Sequence, residues 1–310
     1  MAVKAISETT RRALRYVKVS NAEVDLAYFP DFLIVGPQRT GTTWLHANLR
    51  YHPEIMLSEP KELYFFSSLK QTTGARFGSA ELADYLSYFH EPLWRVLLRN
   101  AISLWQYRQL YRPKIRGEAT ASYAALERDV IADITALNRD IKVILMIRDP
   151  VERAWSHAKK DLVRNRKRKF DDVSGEEFER FFTDPYQRQC ARYVENIDNW
   201  TACLRPKHLL VALFDDVDAN PEALLLEVMS FLGVSSAPRY VPPEVRRPVN
   251  PTGASKIPDR YRRFLEDLLK DDIANLDARL GLSRAAPGRL QRRPGTAPER
   301  FVVALRGRTG

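Results

Sequence analysis

Three short runs of the chain are apolar at consecutive positions, rich in β-branched residues and bounded by turn chemistry: 31–36, 142–147 and 208–214. A strand with one face in water alternates apolar and polar residues, whereas a run apolar on both faces fits a strand covered on both sides, as in a parallel sheet. Patterns of helical period follow each run, at 42–51, 151–164 and 220–232, the last stopping at Gly233 where a C-cap glycine belongs. Strand then helix, repeated, predicts an α/β fold with a mostly parallel central sheet flanked by helices.

Fainter patterns complete the outline. Residues 114–119 form a possible fourth strand and 259–280 a late helix, and the stretch 67–112, rich in Tyr, Trp and Leu, looks like helices added to the same core. Residues 235–258 carry six prolines and predict a long loop placed to cover a site. No internal repeat and no shift in composition divides the chain, so one body is expected over 31–282, after an N-terminal extension at 1–30 and before a loosely ordered tail at 283–310.

Charge refines this picture in two places. The formal net charge is +10, but residues 281–310 hold seven arginines against one glutamate, so the body is only mildly basic. That tail has no interleaved aromatics for stacking on bases, which argues against a nucleic-acid partner. Seven of the eleven residues at 159–169 are basic, and this cluster is either the solvated end of a helix or a rim that attracts an anion. No run of 18 or more apolar residues occurs, and the N-terminal segment has no secretory core, so no transmembrane segment and a cytoplasmic location are expected. Cys190 and Cys203 are expected to be free thiols. The five histidines show no metal-ligand spacing, and no metal is expected.

The most specific chemistry lies at Gly36-Pro37-Gln38-Arg39-Thr40-Gly41-Thr42-Thr43, directly after a strand and opening a helix. Glycines there let backbone approach a ligand, and the first amides of a helix point at an anion, so this is a phosphate cradle. A nucleoside-triphosphate loop carries lysine ahead of its last hydroxyl residue, to reach the β- and γ-phosphates; here that position is Thr42, and Arg39 puts a cation inside the loop instead. The donor therefore carries a shorter 5′ anion. A second strand ends in Ile147-Arg148-Asp149-Pro150 and runs into a helix carrying Arg153 and Ser156. Ligands of parallel sheets bind at that edge. Arg153 is expected on a solvated helix face. The stretch Pro60-Lys61-Glu62-Leu63-Tyr64-Phe65-Phe66 mixes core aromatics with a carboxylate.

Residues 36–45 resemble the 5′-phosphosulfate loop of sulfotransferases that use 3′-phosphoadenosine 5′-phosphosulfate (PAPS), particularly the heparan sulfate and bacterial branch. The resemblance runs from Phe32 to Leu282 and implies a P-loop-like sulfotransferase fold. It implies that Gly36, Gln38, Arg39, Thr40, Gly41, Thr42 and Thr43 cradle the 5′ end, with the threonines supplying backbone and hydroxyl donors. Arg148 and Ser156 would take the 3′-phosphate, and Lys256 would belong to a late covering loop. Glu62 would be the base, held near the donor by neighbouring aromatics, and Glu118 is the next carboxylate in line. Arg39 would stabilise the departing 3′,5′-bisphosphate (PAP). Tyr193, Asn196 and Trp200 resemble a helix beside the nucleotide, though their spacing fits core packing equally well. Two departures stand out. A lysine often follows the glutamate of the 117–123 segment, where this chain has Ala119; and no histidine lies in the context that the small-molecule branch uses. The acceptor would be a hydroxyl or amine on a carbohydrate or small metabolite. The rival readings are a P-loop kinase or ATPase and a non-catalytic nucleotide- or polyanion-binding module.

Overall fold

The computed structural model describes residues 4–20, 24–71, 73–249, 256–286 and 288–292. Five strands form one parallel sheet in the order β2-β3-β1-β4-β5: β1 is Phe32–Val35, β2 Ile55–Leu57, β3 Ile115–Ala119, β4 Lys142–Ile147 and β5 Leu209–Leu213. The three apolar runs are β1, β4 and β5 at its centre and one side, and every residue of β1 and β5 is buried. β2 escaped the sequence pattern because three residues are too few to show a period.

The sheet is covered on both faces. Alternate residues of β1 and β4 divide between two apolar clusters: Leu33, Val35, Val143 and Leu145 join one, Phe32, Ile34, Ile144 and Met146 the other. On the first face lie Arg128–Leu137 and Tyr193–Cys203; on the second, Thr42–Leu49 and Pro221–Leu232, the latter closed by Gly233 at φ 81°. The helix predicted at 151–164 starts at Pro150, with Asp149 accepting from the amides of Val151 and Glu152, and after Ala158 widens into a π-helical segment, Lys159–Asn165. The late helix breaks at Leu269 into Asp259–Leu268 and Lys270–Leu280.

Both flanks of the body pack on it. Asp133 accepts the amides of Arg15, Tyr16 and Val17, which ties the N-terminal segment to the helix Arg128–Leu137. An antiparallel hairpin of β6 (Leu282–Ala286) and β7 (Arg289–Arg292) begins at position 282; Leu290 is buried, and Arg284 pairs with Asp149 and Asp277. The rest of the tail lies outside the described residues.

The order of the sheet locates the site. The chain goes from β1 outward to β2 and β3 on one side and then to β4 and β5 on the other, so connections leave β1 and β4 in opposite directions and open a crevice at their C-terminal ends. Val35 stands opposite Leu145, so β4 continues two residues past the end of β1 and delivers Arg148 over the loop that follows β1.

Candidate active site

The loop after β1 is shaped by two glycines and a threonine. Gly36 has φ 153°, and a Cβ there would lie 2.5 Å from the Met146 carbonyl oxygen of the neighbouring strand. Gly41 has φ 99° and is the N-cap of Thr42–Leu49. Thr40 is fully buried and its hydroxyl donates to the Pro37 carbonyl at 2.8 Å. It therefore holds the loop closed in place of the ligand-facing hydroxyl expected of it. Gln38, Arg39, Gly41, Thr42 and Thr43 face an open cleft of about 320 Å³, with the first amides of the helix at its floor.

Arg148 and Ser156 meet this loop from the end of β4. Arg148 donates to the Arg39 carbonyl at 3.4 Å, its guanidinium lies 4.4 Å from the centre of the Phe214 ring, and its own amide donates to the Tyr193 hydroxyl. Ser156 is buried about two helix turns further along and accepts from Arg39 Nε at 2.9 Å. The expected 3′ and 5′ sites thus share a wall. Arg153 is fully buried, contrary to the solvated face expected for it, and donates weakly to Gln187. Its helix has little solvated surface, because Gly175–Thr183, Asp259–Leu268 and Pro185–Ala191, the last carrying Gln187, all pack against it.

Glu62 enters the cleft from the other side, on the segment after β2. Its amide donates to the Ala119 carbonyl at the end of β3, one carboxylate oxygen accepts the Ala121 amide at 2.9 Å, and the other pairs with Lys61. What holds the carboxylate is thus a cation and a backbone amide in place of the neighbouring aromatics expected to hold it; Leu63, Phe65 and Phe66 lie in the core. Six non-glycine residues have positive φ among the described residues, and three of them, Arg39, Glu62 and Tyr64, lie at or beside the cleft. Backbone strain of this kind gathers where geometry serves function.

Glu118 is placed differently. It is fully buried, with one oxygen accepting from Thr120 Oγ1 at 2.5 Å and the other from the Tyr85 hydroxyl. Burial raises its pKa to about 7, against hydrogen bonds from Thr120, Tyr85 and Tyr123 that lower it. It buttresses the segment that carries Glu62, since Thr120 Oγ1 also accepts the Leu63 amide. Tyr193, Asn196 and Trp200 are all buried core residues, and only Tyr193 touches a site residue. Lys256 is exposed and does not line the cleft; residues 250–255, which would form most of the late loop, lie outside the described residues.

Three cations escaped the sequence reading as individuals. Lys160 lines the cleft beside Arg39 and Glu62, carried there by the π-helical turn, while two others of the basic cluster are paired elsewhere: Arg166 with Asp161 and Arg168 with Glu177. Arg246 and Arg247, from the proline-rich loop, close the far wall. Arg39, Arg148, Lys160, Arg246 and Arg247 thus face two lining carboxylates, Glu62 and Asp218. Burial, followed by the charge of Arg148 and Arg164, presses the Arg39 pKa down to about 10. Burial likewise lowers Arg148, and burial with the Arg39 charge lowers Lys160. Among the described residues no group of three or more His, Cys, Asp or Glu side chains is arranged to hold a metal ion.

A doubly covered parallel sheet with a glycine loop and helix start after β1 and a second cation after β4 defines the P-loop-like α/β fold class. Comparison with known proteins narrows the class: the model of the sulfotransferase family matches residues 30–238, more than half of the chain, which therefore belongs to that family. The chain is 26% identical over 239 residues to the bifunctional heparan sulfate N-deacetylase/N-sulfotransferase 4 of Mus musculus, covering 73% of this chain and 24% of that protein. It is 30% identical over 134 residues to the membrane-associated sulfotransferase kil1 of Dictyostelium discoideum, covering 43% of this chain and 23% of that one. The chain thus spans about a quarter of the length of these relatives. The crystal structure of a sulfotransferase from Alicyclobacillus acidocaldarius superposes with a TM-score of 0.55 at 25% identity, covering 80% of this chain and 94% of that one.

Proposed function

We propose that this protein transfers the sulfuryl group of PAPS to a hydroxyl or amine, on a carbohydrate or small metabolite in preference to a protein. The observation that carries this reading is the joining of two cationic anion sites, on β1 and β4, through the Arg148–Arg39 contact. A nucleotide with phosphate at both 5′ and 3′ ends matches such a pair. Membership of the family supplies the identity of the group transferred, and the name of the heparan sulfate relative supports a sugar acceptor.

In this reading Glu62 takes the acceptor proton while a bond forms from the acceptor oxygen or nitrogen to sulfur. The bond from sulfur to the bridging oxygen breaks, and PAP departs with the electron pair. Arg39 and the amides of the loop stabilise the charge on that oxygen. Lys160 supplies the second cation that Ala119, buried at the end of β3, does not. Catalysis then consists of positioning and electrostatics, as in phosphoryl transfer.

A thermal melt with PAP, adenosine 5′-phosphate and Mg-ATP in parallel tests the donor. At one hundred times Kd, PAP stabilises the fold by about 2.7 kcal/mol. In a protein of this size that is a shift on the order of 4–5 °C. Adenosine 5′-phosphate is expected to shift the melt less, and Mg-ATP little. A chelator-sensitive Mg-ATP shift as large as that of PAP would establish the kinase or ATPase reading instead. Stabilisation by PAP without a gain of one sulfate on any acceptor of a carbohydrate and metabolite panel, read by mass spectrometry, would identify a binding module.

A further inference from the structure

The helix Leu93–Tyr107 is turned inside out. Leu93, Trp94, Leu97, Leu98, Ala101, Leu104 and Trp105 fall within an arc of roughly 140° at 100° per residue, and all seven are exposed. Trp94 and Trp105 are 61% and 80% exposed, whereas Trp44, Trp155 and Trp200 are at most 4%. The inward face carries Asn100, Ser103 and Arg99, each held by a partner outside the helix, beside the buried Tyr107. Asn100 Oδ1 accepts the Tyr111 amide at 3.0 Å, Ser103 Oγ donates to the Gln109 carbonyl at 2.6 Å, and Arg99 donates to the Tyr111 hydroxyl and pairs with Glu91. Rotating the helix to bury its leucines would break all of these contacts. The apolar face is therefore held outward by the fold, and a continuous exposed face of this kind marks an interaction surface.

Charge selects the occupant. From Pro92 to Gly117 the chain holds six basic residues (Arg95, Arg99, Arg108, Arg112, Lys114 and Arg116) and no Asp or Glu. Arg108 and Arg112 are exposed just beyond the helix end. A second copy docking here about a two-fold axis would bring this acid-free segment against itself, with no carboxylate of the segment to receive either arginine. An anionic lipid surface accepts both features, because Trp and Leu sink to the headgroup boundary while arginines meet phosphates. The helix is about 22 Å long at 1.5 Å per residue, and among the described residues no helix is long and apolar enough to cross a membrane.

We propose that the helix Leu93–Tyr107 lies flat in the headgroup layer of an anionic bilayer, with Trp94, Leu98 and Trp105 inserted and Arg108 and Arg112 on the lipid phosphates. The attachment is independent of the sulfuryl-transfer reading.

The test is vesicle flotation of the full chain with phosphatidylcholine alone and with phosphatidylcholine containing about one-third phosphatidylglycerol. At least tenfold more protein is expected on the anionic vesicles, with a blue shift of tryptophan emission and protection from acrylamide. Both signals report on this face because the other three tryptophans are buried. Combining Trp94→Gln, Leu98→Gln and Trp105→Gln removes the binding while leaving the melting temperature within a few degrees, since these side chains are exposed. Arg108→Glu with Arg112→Glu removes the preference for anionic vesicles. Absence of binding, or binding that survives the triple variant, overturns the proposal. So does a dimer seen by light scattering that the triple variant dissociates, which would give the face to a second copy.

Discussion

The two walls of the cleft are built in different ways. On the donor wall, residues 36–43 are contiguous and their shape follows from backbone: two glycines at positive φ, a buried threonine closing the loop on Pro37, and a helix start that presents amides. On the base wall, Glu62 is placed by residues nearly sixty positions away, through its amide on the Ala119 carbonyl and its carboxylate on the Ala121 amide. Anion binding can be written into one short segment, because helix amides are supplied by any sequence that starts a helix. A base must stand at one point relative to another segment, and that takes tertiary contacts.

The sharpest way to separate the walls is Glu62→Gln, which keeps the shape and removes the proton acceptor. It is expected to lower kcat by about 10²–10⁴ while PAP affinity stays within a small factor, read by steady-state turnover beside PAP titration. Turnover close to that of the parent would mean that another group takes the proton; Glu118 is a poor substitute, since both its oxygens are engaged away from the cleft.

Glu118 offers a second separation, through stability. Its pKa lies near 7 in the fold against an ordinary 4.5, chiefly because it is buried. Above pH 4.5 the unfolded chain releases a proton that the fold still keeps, so this group's contribution to stability falls as pH rises from about 4.5 to about 7 and then levels. The span is roughly 3 kcal/mol. Glu118→Gln is expected to flatten that slope in denaturant melts across the window while PAP affinity changes little. An unchanged slope would show that the carboxyl is not held neutral.

The smallest effect expected is on the donor wall. Arg148→Ala removes charge-assisted hydrogen bonds of about 1.5–3 kcal/mol, so PAP affinity should fall about tenfold or more in a direct titration while adenosine 5′-phosphate binds nearly as before. Equal weakening of both ligands would remove the 3′-phosphate from Arg148.

Legibility followed the same division. The cradle and Arg148 could be read from the chain because each lies at a strand-to-helix junction with its own local signal. Lys160 could be seen only as one of seven cations in a cluster, since the π-helical turn that selects it has no sequence pattern of its own. Arg153 was misread because its spacing suits a solvated face, and only tertiary packing, with Gln187 of Pro185–Ala191 against its guanidinium, buries it. Thr40 looked like one more hydroxyl in a phosphate loop until its bond to Pro37 turned it inward.

By itself the sequence determined that the chain is an α/β protein with a glycine-bearing loop that opens a helix after its first strand and an arginine at the strand-to-helix junction of a later one. Apolar runs, glycines and helix starts act over a few residues, and their physics is complete within them. Tertiary structure alone decided that β4 overreaches β1 and brings Arg148 onto Arg39, and that Glu62 stands across from both. It alone decided, too, that the leucines and tryptophans of Leu93–Tyr107 face outward. Which face of an amphipathic helix is buried depends on the partners available to it, and those partners, Glu91, Gln109 and Tyr111, hold its polar side.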